Sequence, residues 1–217
     1  MFIGHFAVGF AAKKIAPKPS LGTYFMAVSF VDLLWPVFLL LGIEHVRISP
    51  GITVVTPLDL YDYPFSHSLV MAFFWSTLIG GIYFLLKKEK RSAFVVGLAL
   101  FSHWILDFIS HRPDMPIAFG KTTYVGLGLW NSLWGTIIAE AGMFIIGVFM
   151  YMKATTPIDQ KGNLGMWGLV AFLFVMYFLD LFGPPPPAEN VIAIGANTGW
   201  LLVLWAWWGD KHRKRIE

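Results

Sequence analysis

The chain has 217 residues, of which 57% are hydrophobic and only 13% are charged, whereas soluble domains carry about 25% charged residues. This composition predicts an integral membrane protein, and the absence of cysteine excludes disulfides, thiolate metal sites and cysteine nucleophiles. The net charge of +3 does not point to nucleic acid as a partner, because the basic residues lie between apolar runs and so indicate membrane topology.

Seven apolar runs follow one another along the chain, and six of them are long enough to span a bilayer, which takes about 18 residues or more. The first run is short: a helix from Phe2 to Ile15 would cover roughly 21 Å of a hydrocarbon core about 30 Å thick. The pattern predicts an all-α fold, a polytopic transmembrane bundle of six to seven membrane segments that forms a single domain over residues 1–217. The runs lie near residues 2–15, 21–43, 65–86, 92–111, 129–152, 164–182 and 190–208.

The basic residues alternate between loops. Of the 16 lysines and arginines, 13 follow the first, third, fifth and seventh runs, and only Arg47, Arg112 and Lys121 lie in the intervening loops. Because cytoplasmic loops are enriched in basic residues, the crowded side is expected to face the cytoplasm. The sequence therefore predicts a multi-pass protein of the cytoplasmic (inner) membrane, with its N-terminus outside and its C-terminus inside.

The fourth run contains His103, Asp107 and His111, spaced four residues apart in LALFSHWILDFISHRPD. In an α-helix these positions lie along one stripe, since they drift by only about 80° in total. A lone histidine on an apolar face is more often a hydrogen-bonded core residue than a ligand. Three ionisable residues on one stripe are different, because each costs about 2–3 kcal/mol at the centre of a bilayer. We therefore expect a functional cluster.

The predicted topology brings other ionisable residues to the same half of the membrane. His5 follows an outer N-terminus, His67 lies just inside the third run, and Asp32 lies near the middle of the second run, where Pro36 is expected to kink the helix. Glu140 lies near the middle of the fifth run. We expect these side chains and the fourth-run stripe to face one cavity in the outer half of the bundle.

Imidazole and carboxylate ligands without thiolate suit one or two divalent cations, with Zn²⁺ expected first and Mn²⁺ or Fe²⁺ next. Paired ions of this kind cleave phosphate esters. Asp32 could be a ligand, a bridge or the partner that orients an imidazole. Glu140 could be a general base, or equally a protonated structural carboxyl. Arg112 and Lys121 could hold an anionic substrate head group, although Arg112 also fits a simple interface anchor.

Several of these segments together resemble the membrane-bound metal-dependent hydrolases, over about residues 1–135. They are an N-terminal histidine, an aspartate in the second run, YPFSHSL, HWILDFISHRPDMP and GLGLWNS. The chain is also similar, more distantly, to zinc-dependent phospholipase C, whose ligands include an HxxxD pair that His103 and Asp107 match. The resemblance implies that further residues join that pair as metal ligands, namely His5, Asp32, His67 and His111. Only Asp32 lies where members of the family often carry a DxDH-like stretch.

These patterns predict a membrane-embedded metal-dependent hydrolase. Its expected substrate is lipid-like and comes from the surrounding membrane lipid, and the enzyme would cleave a phosphoester or ester at the outer half of the membrane. One alternative is a metal or ion transporter, which would be expected to show internal repeats, paired broken helices and polar residues at several depths. Another is a non-catalytic membrane scaffold that is braced by a structural metal site.

Overall fold

A computed structural model describes residues 1–120 and 123–216, and this part of the chain is mostly helical. A short 3₁₀ helix at Leu129–Asn131 precedes α7. The α-helices are α1 (Ile3–Ile15), α2 (Leu21–Val28), α3 (Phe30–Leu40), α4 (Pro64–His67), α5 (Leu69–Lys87), α6 (Lys90–Ser110), α7 (Leu133–Ala154), α8 (Gln160–Phe182), α9 (Glu189–Asn197) and α10 (Gly199–Lys211).

The described residues contain five helical stretches that are long and apolar enough to cross a membrane: α5, α6, α7, α8 and the joined α9–α10 stretch. The pair α2 and α3 makes a sixth if it counts as one broken span, bent by 53°. The structure thus supports a multi-pass membrane protein with five to six candidate spans. The expected upper count of seven is not reached, because α1 has only 13 residues.

The short helix α1 lies inside the bundle and packs against α2, α6 and α7. It is apolar around most of its circumference, and most of its residues are buried, which is the pattern of a helix with no solvent or lipid face. The approach to α7 is very close, since a Cβ on Gly147 would lie 2.4 Å from the carbonyl oxygen of Ala7. Glycine at position 147 therefore allows the two backbones to touch.

The second run is broken at Ser29, seven residues before Pro36, where a kink was expected. The Ser29 hydroxyl donates a hydrogen bond to the carbonyl of Phe25 at 2.6 Å, and such back-bonding competes with the regular helical pattern. Pro36 lies within α3 without ending it. The break therefore comes just before Asp32 and ends α2 at Val28.

Beside the helices that the apolar pattern predicted, the described residues form three small antiparallel sheets of two strands each. These strands are only two to five residues long and lie in loops, so apolar periodicity could not reveal them. The pairs are β1 (His45–Ile48) with β2 (Leu58–Asp62), β3 (Met115–Pro116) with β4 (Tyr124–Val125), and β5 (Thr155–Pro157) with β6 (Arg213–Arg215).

A buried ion pair lies at the end of the bundle where α1 finishes. The Lys13 ammonium donates to Asp210 Oδ2 at 2.7 Å and to the Pro19 carbonyl at 2.9 Å. Asp210 also accepts hydrogen bonds from the Leu21 backbone N–H at 3.0 Å and from the Tyr151 hydroxyl at 2.7 Å. We call this group the Lys13–Asp210 cluster. Lys13 is therefore a buried partner, not only one of the basic residues that indicate topology.

Candidate metal centre

The predicted stripe lies at the opposite end of the bundle, where α6 finishes. His103 and Asp107 are buried on α6, and His111 is also buried but lies one residue beyond the helix, with an extended backbone. Its N–H still bonds to the Asp107 carbonyl at 2.7 Å. The three residues therefore keep the order along the helix axis that the spacing predicted.

Asp107 is at the centre of the site, with four imidazoles around its carboxylate. Its Oδ1 lies 3.0 Å from Nε2 of His5 and 3.9 Å from Nε2 of His111. Its Oδ2 lies 2.9 Å from Nε2 of His103 and 3.9 Å from Nε2 of His67. Histidines from α1, α4, α6 and the segment after α6 thus direct the same ring atom toward one carboxylate.

Asp32 supplies a second carboxylate from α3. Its Oδ1 lies 3.3 Å from Nε2 of His67 and 3.6 Å from Nε2 of His103, and its side chain is 47% exposed. Two overlapping groups could each hold a metal ion, with ligand atoms that all lie within 4.8 Å of one another. They are His5 with His103 and Asp107, and Asp32 with His67 and His103.

His103 is held by the helix break described above. Its Nδ1 lies 2.7 Å from the carbonyl oxygen of Val28, the last residue of α2. A carbonyl oxygen can only accept, so Nδ1 carries a hydrogen, and in the neutral ring Nε2 then keeps its lone pair. The fold therefore fixes the tautomer that a metal ligand needs, as the outer partner of a ligating histidine commonly does.

His67 is held through a serine and a glutamate. Its Nδ1 lies 2.7 Å from Ser66 Oγ, and this hydroxyl donates to Glu44 Oε2 at 2.6 Å. Glu44 Oε1 also accepts the backbone N–H groups of Phe65 and Ser66 at 2.7 and 2.8 Å. Burial raises the pKa of the Glu44 carboxyl, while the hydrogen bonds from Ser66 act in the opposite direction. With Ser66 donating to Glu44, the serine oxygen accepts from Nδ1, and Nε2 faces Asp32.

His111 is held by Asp114, whose Oδ1 lies 3.1 Å from Nδ1 of the ring. The Tyr63 hydroxyl lies 3.4 Å from the same oxygen. Burial, followed by the charge of Asp114, raises the pKa of Tyr63 well above its usual range, so the phenol remains a neutral donor. A carboxylate on the outer nitrogen of a histidine orients the ring and makes it a stronger ligand.

Two ring nitrogens in this cluster have no hydrogen-bond partner among the described residues: Nδ1 of His5 and Nε2 of His103. The His103 atom lies 2.9 Å from Asp107 Oδ2, but the pair lacks hydrogen-bond geometry. The His5 and His103 rings also stack in parallel, with centroids 3.7 Å apart. Asp107 additionally accepts a hydrogen bond from the Met1 amino group at 2.6 Å. A buried, unpartnered Nε2 facing carboxylates fits a cation, which would supply the missing interaction.

A cavity of about 130 Å³ opens onto the cluster. Asp32, His67, Asp107 and His111 line it, and so do the aromatic rings of Trp35, Tyr63 and Trp130. The Trp130 ring lies 4.2 Å from that of His111. We call this space the site cavity. It brings a small molecular group within reach of both carboxylates and walls the rest of the space with apolar surface.

Glu140 is not part of the metal-ligand groups. One oxygen of its carboxylate accepts the backbone N–H groups of Phe2 and Gly4 at 2.8 and 3.1 Å. These N–H groups belong to the start of α1 and have no partner within the helix, so Glu140 satisfies them from α7. Of its two expected roles, this geometry supports the structural one, because it holds the helix that carries His5.

Arg112 lies beside the centre with its guanidinium already paired. Its Nε donates to Asp114 Oδ2 at 3.0 Å, and its terminal nitrogen pairs with Asp59. Two carboxylates therefore compete with any anionic head group for this side chain. Lys121, the other expected head-group residue, lies outside the described residues.

The residues that orient the imidazoles were missed by the sequence reasoning. Asp114 lies three residues after His111, and Ser66 lies directly before His67, so closeness along the chain was a signal for both. Glu44 gave no such signal, because it reaches His67 only through the fold of the loop after α3.

Comparisons with known proteins do not add a family to this picture: no family model, no curated protein and no solved structure matches the chain. The chemical interpretation of the His/Asp cluster therefore depends on its distances, burial and hydrogen bonds. These define a multi-pass helical protein with a buried His/Asp cluster that could hold a metal.

Proposed function

We propose that this protein is a membrane-embedded metal-dependent hydrolase. One observation carries the proposal: four imidazole nitrogens converge on the Asp107 carboxylate beside a cavity, and Asp32 faces two of them. Three hydrogen bonds to Nδ1 atoms also support the proposal: those of His67, His103 and His111. Each bond orients its ring so that Nε2 faces the carboxylates.

The ligand set favours Zn²⁺, with Mn²⁺ or Fe²⁺ as the next candidates, since it offers nitrogen and carboxylate oxygen without thiolate. One ion would be held by either of the two groups, both of which include His103. Because only Nε2 of His103 is free of a hydrogen bond, His103 would serve one ion at a time, and a second ion would be held by the remaining members of the other group. A divalent cation bound here would act as a Lewis acid on a phosphoryl or carbonyl oxygen.

We assign the remaining steps, proton transfer and orientation of the ligands, to side chains of the protein. Asp32 is the more exposed of the two carboxylates and lines the site cavity. This supports Asp32 as the residue that accepts a proton from a water molecule there when the ion is held by His5, His103 and Asp107, a group that does not include Asp32. Tyr63 keeps its hydroxyl hydrogen and supports Asp114. The tryptophans of the cavity limit the water that reaches the carboxylates.

The expected substrate is lipid-like and carries a phosphoester or an ester. The site cavity, of about 130 Å³, accommodates the reacting group but not a whole lipid. Under the positive-inside rule the histidine cluster lies in the outer half of the cytoplasmic membrane, because most basic residues flank the opposite end of the bundle. Membrane lipid can then approach the site from the bilayer.

The test is to purify the protein, measure its metal content, and assay hydrolysis of phosphoester and carboxylic ester lipids. His103→Ala should lower both metal content and turnover, the latter by more than about 100-fold, since loss of an outer partner alone costs about 10–100-fold. The matched control is His45→Ala, which changes an exposed histidine paired with Asp62. Absence of near-stoichiometric metal would refute the proposal. Metal flux without turnover would favour a transporter, and stabilisation by metal with neither would favour a scaffold.

A further inference from the structure

A second and larger cavity, of about 500 Å³, lies next to the site cavity. Leu58 lines both cavities, and the adjacent residues Met1 and Phe2 line the first and the second respectively. The second cavity lies between the loop that precedes β2 and the end of α8. We call it the outer cavity. A substrate whose reacting group lies in the site cavity can therefore place its neighbouring part here.

The loop that lines the outer cavity is hydrogen-bonded to Trp130, which lies beside the candidate metal centre. The backbone N–H groups of Val54 and Val55, which line the cavity, both donate to the carbonyl oxygen of Trp130 at 3.1 Å. The Trp130 ring in turn lies 4.2 Å from the His111 ring. These hydrogen bonds hold the loop against the site, so the two cavities keep a fixed relation.

The chemistry of this wall favours a positively charged donor. Asp180 is the one charged side chain among the described residues that line it, and Asp180 has no ion-pair partner among those residues. Proline has no N–H donor, so a wall rich in proline offers few backbone donors to a ligand. Five prolines line the outer cavity: Pro50, Pro57, Pro184, Pro185 and Pro186. The described lining residues include no basic side chain, and of their two threonine hydroxyls that of Thr53 already donates to the Thr56 carbonyl.

We propose that the outer cavity binds a primary ammonium group on the non-reacting part of the substrate, with Asp180 as its counter-ion. This inference rests on the proposed hydrolase function and names the substrate class more closely. A primary ammonium carries three N–H donors that match a carboxylate and several carbonyl oxygens. A quaternary ammonium has the charge but no donor, and a neutral polyol head group has donors but no charge.

The experiment compares short-chain phospholipids that differ only in their head groups: ethanolamine, choline and glycerol. The zinc-loaded protein should hydrolyse the ethanolamine ester with a kcat/KM at least about 10-fold above that of the glycerol ester, which is the scale of a hydrogen bond to a charged group. Asp180→Asn should reduce this ratio to about 2 or less. The matched control is Asp62→Asn, because Asp62 is an acid at the same end of the bundle that lies outside the outer cavity.

Equal rates for the three esters, or a preference that Asp180→Asn leaves unchanged, would overturn the inference while leaving the hydrolase proposal in place. If no ester is cleaved at all, the hydrolase proposal fails, and a binding experiment decides the inference. Hexylamine and hexanol are then titrated into the wild type and Asp180→Asn by calorimetry. Preferential binding of the amine that is lost in the variant would support the ammonium site, and equal binding to both proteins would refute it.

Discussion

Charged side chains are buried at both ends of this bundle, but the two clusters differ in how completely their atoms are paired. In the Lys13–Asp210 cluster both carboxylate oxygens accept hydrogen bonds, and the ammonium donates to two of its neighbours. At the other end, four imidazoles face one carboxylate, two ring nitrogens have no partner among the described residues, and a cavity adjoins the cluster. Buried charge alone therefore does not identify a site. At the histidine end, incomplete pairing of metal-ligating atoms beside a cavity supports the metal proposal.

The largest effect on stability should come from the fully paired cluster. Asp210→Asn leaves the Lys13 ammonium buried without its counter-ion, and removal of one partner of a buried pair costs about 3–5 kcal/mol. Denaturant unfolding in detergent should show this loss equally with and without added Zn²⁺. The folded Asp210→Asn variant should bind as much metal as the wild type. If it binds less, the two clusters are not independent.

The histidine end should show the reverse pattern. Saturating metal at about 100 times its dissociation constant stabilises a protein by about 2.7 kcal/mol, and the wild type should show such an increment. Asp107→Asn should abolish it, because this carboxylate faces all four histidines. The measurement is the shift in unfolding midpoint on adding Zn²⁺. A shift as large as that of the wild type would show that metal binds elsewhere.

Removal of the outer partners of the imidazoles should have a smaller effect. Glu44→Gln loosens His67, a member of one candidate ligand group, so we expect metal affinity to fall by about 10–100-fold. Asp114→Asn loosens His111, which belongs to neither group, so the loss of affinity should lie at the lower end of that range. Competition against a chromophoric chelator measures this change. Asp62→Asn is the control, because it alters an exposed His–Asp pair outside the centre. Unchanged affinity in both variants would remove these residues from the site.

The smallest effect is expected for Tyr63→Phe, which removes a single hydroxyl near Asp114. A hydrogen bond of this kind contributes about 0.5–1.5 kcal/mol, so metal affinity should fall by less than about 15-fold. Because the pKa of Tyr63 is raised well above its usual range, the difference between variant and wild type should persist up to about pH 10, where an ordinary tyrosine titrates. A difference that disappears below that pH would show that the phenol ionises.

Local periodicity and topology predicted that several of the histidines and aspartates would lie close together. The spacing of His103 and Asp107 fixed them on one helical face, and the order of the membrane segments indicated that His5, Asp32 and His67 would lie at the same end. These predictions worked because a helix has a fixed period and because spans alternate in direction.

The features that sequence reasoning missed depend on contacts between distant parts of the chain. Glu44 reaches His67 through a loop, and Lys13 meets a carboxylate 197 positions away. No local sequence pattern predicts these long-range contacts, because they depend on how the helices and loops pack.

The buried position of α1 has a consequence for the order in which the protein is assembled. This helix carries His5, is too short to cross a bilayer alone, and has its first N–H groups satisfied by Glu140 of α7. During synthesis α1 leaves the ribosome long before α7 does, so it must wait for residues 133–154 before it reaches its final place. The candidate metal centre is therefore completed late, because a nascent chain that stops before α7 lacks the Glu140 carboxylate that satisfies the first N–H groups of α1.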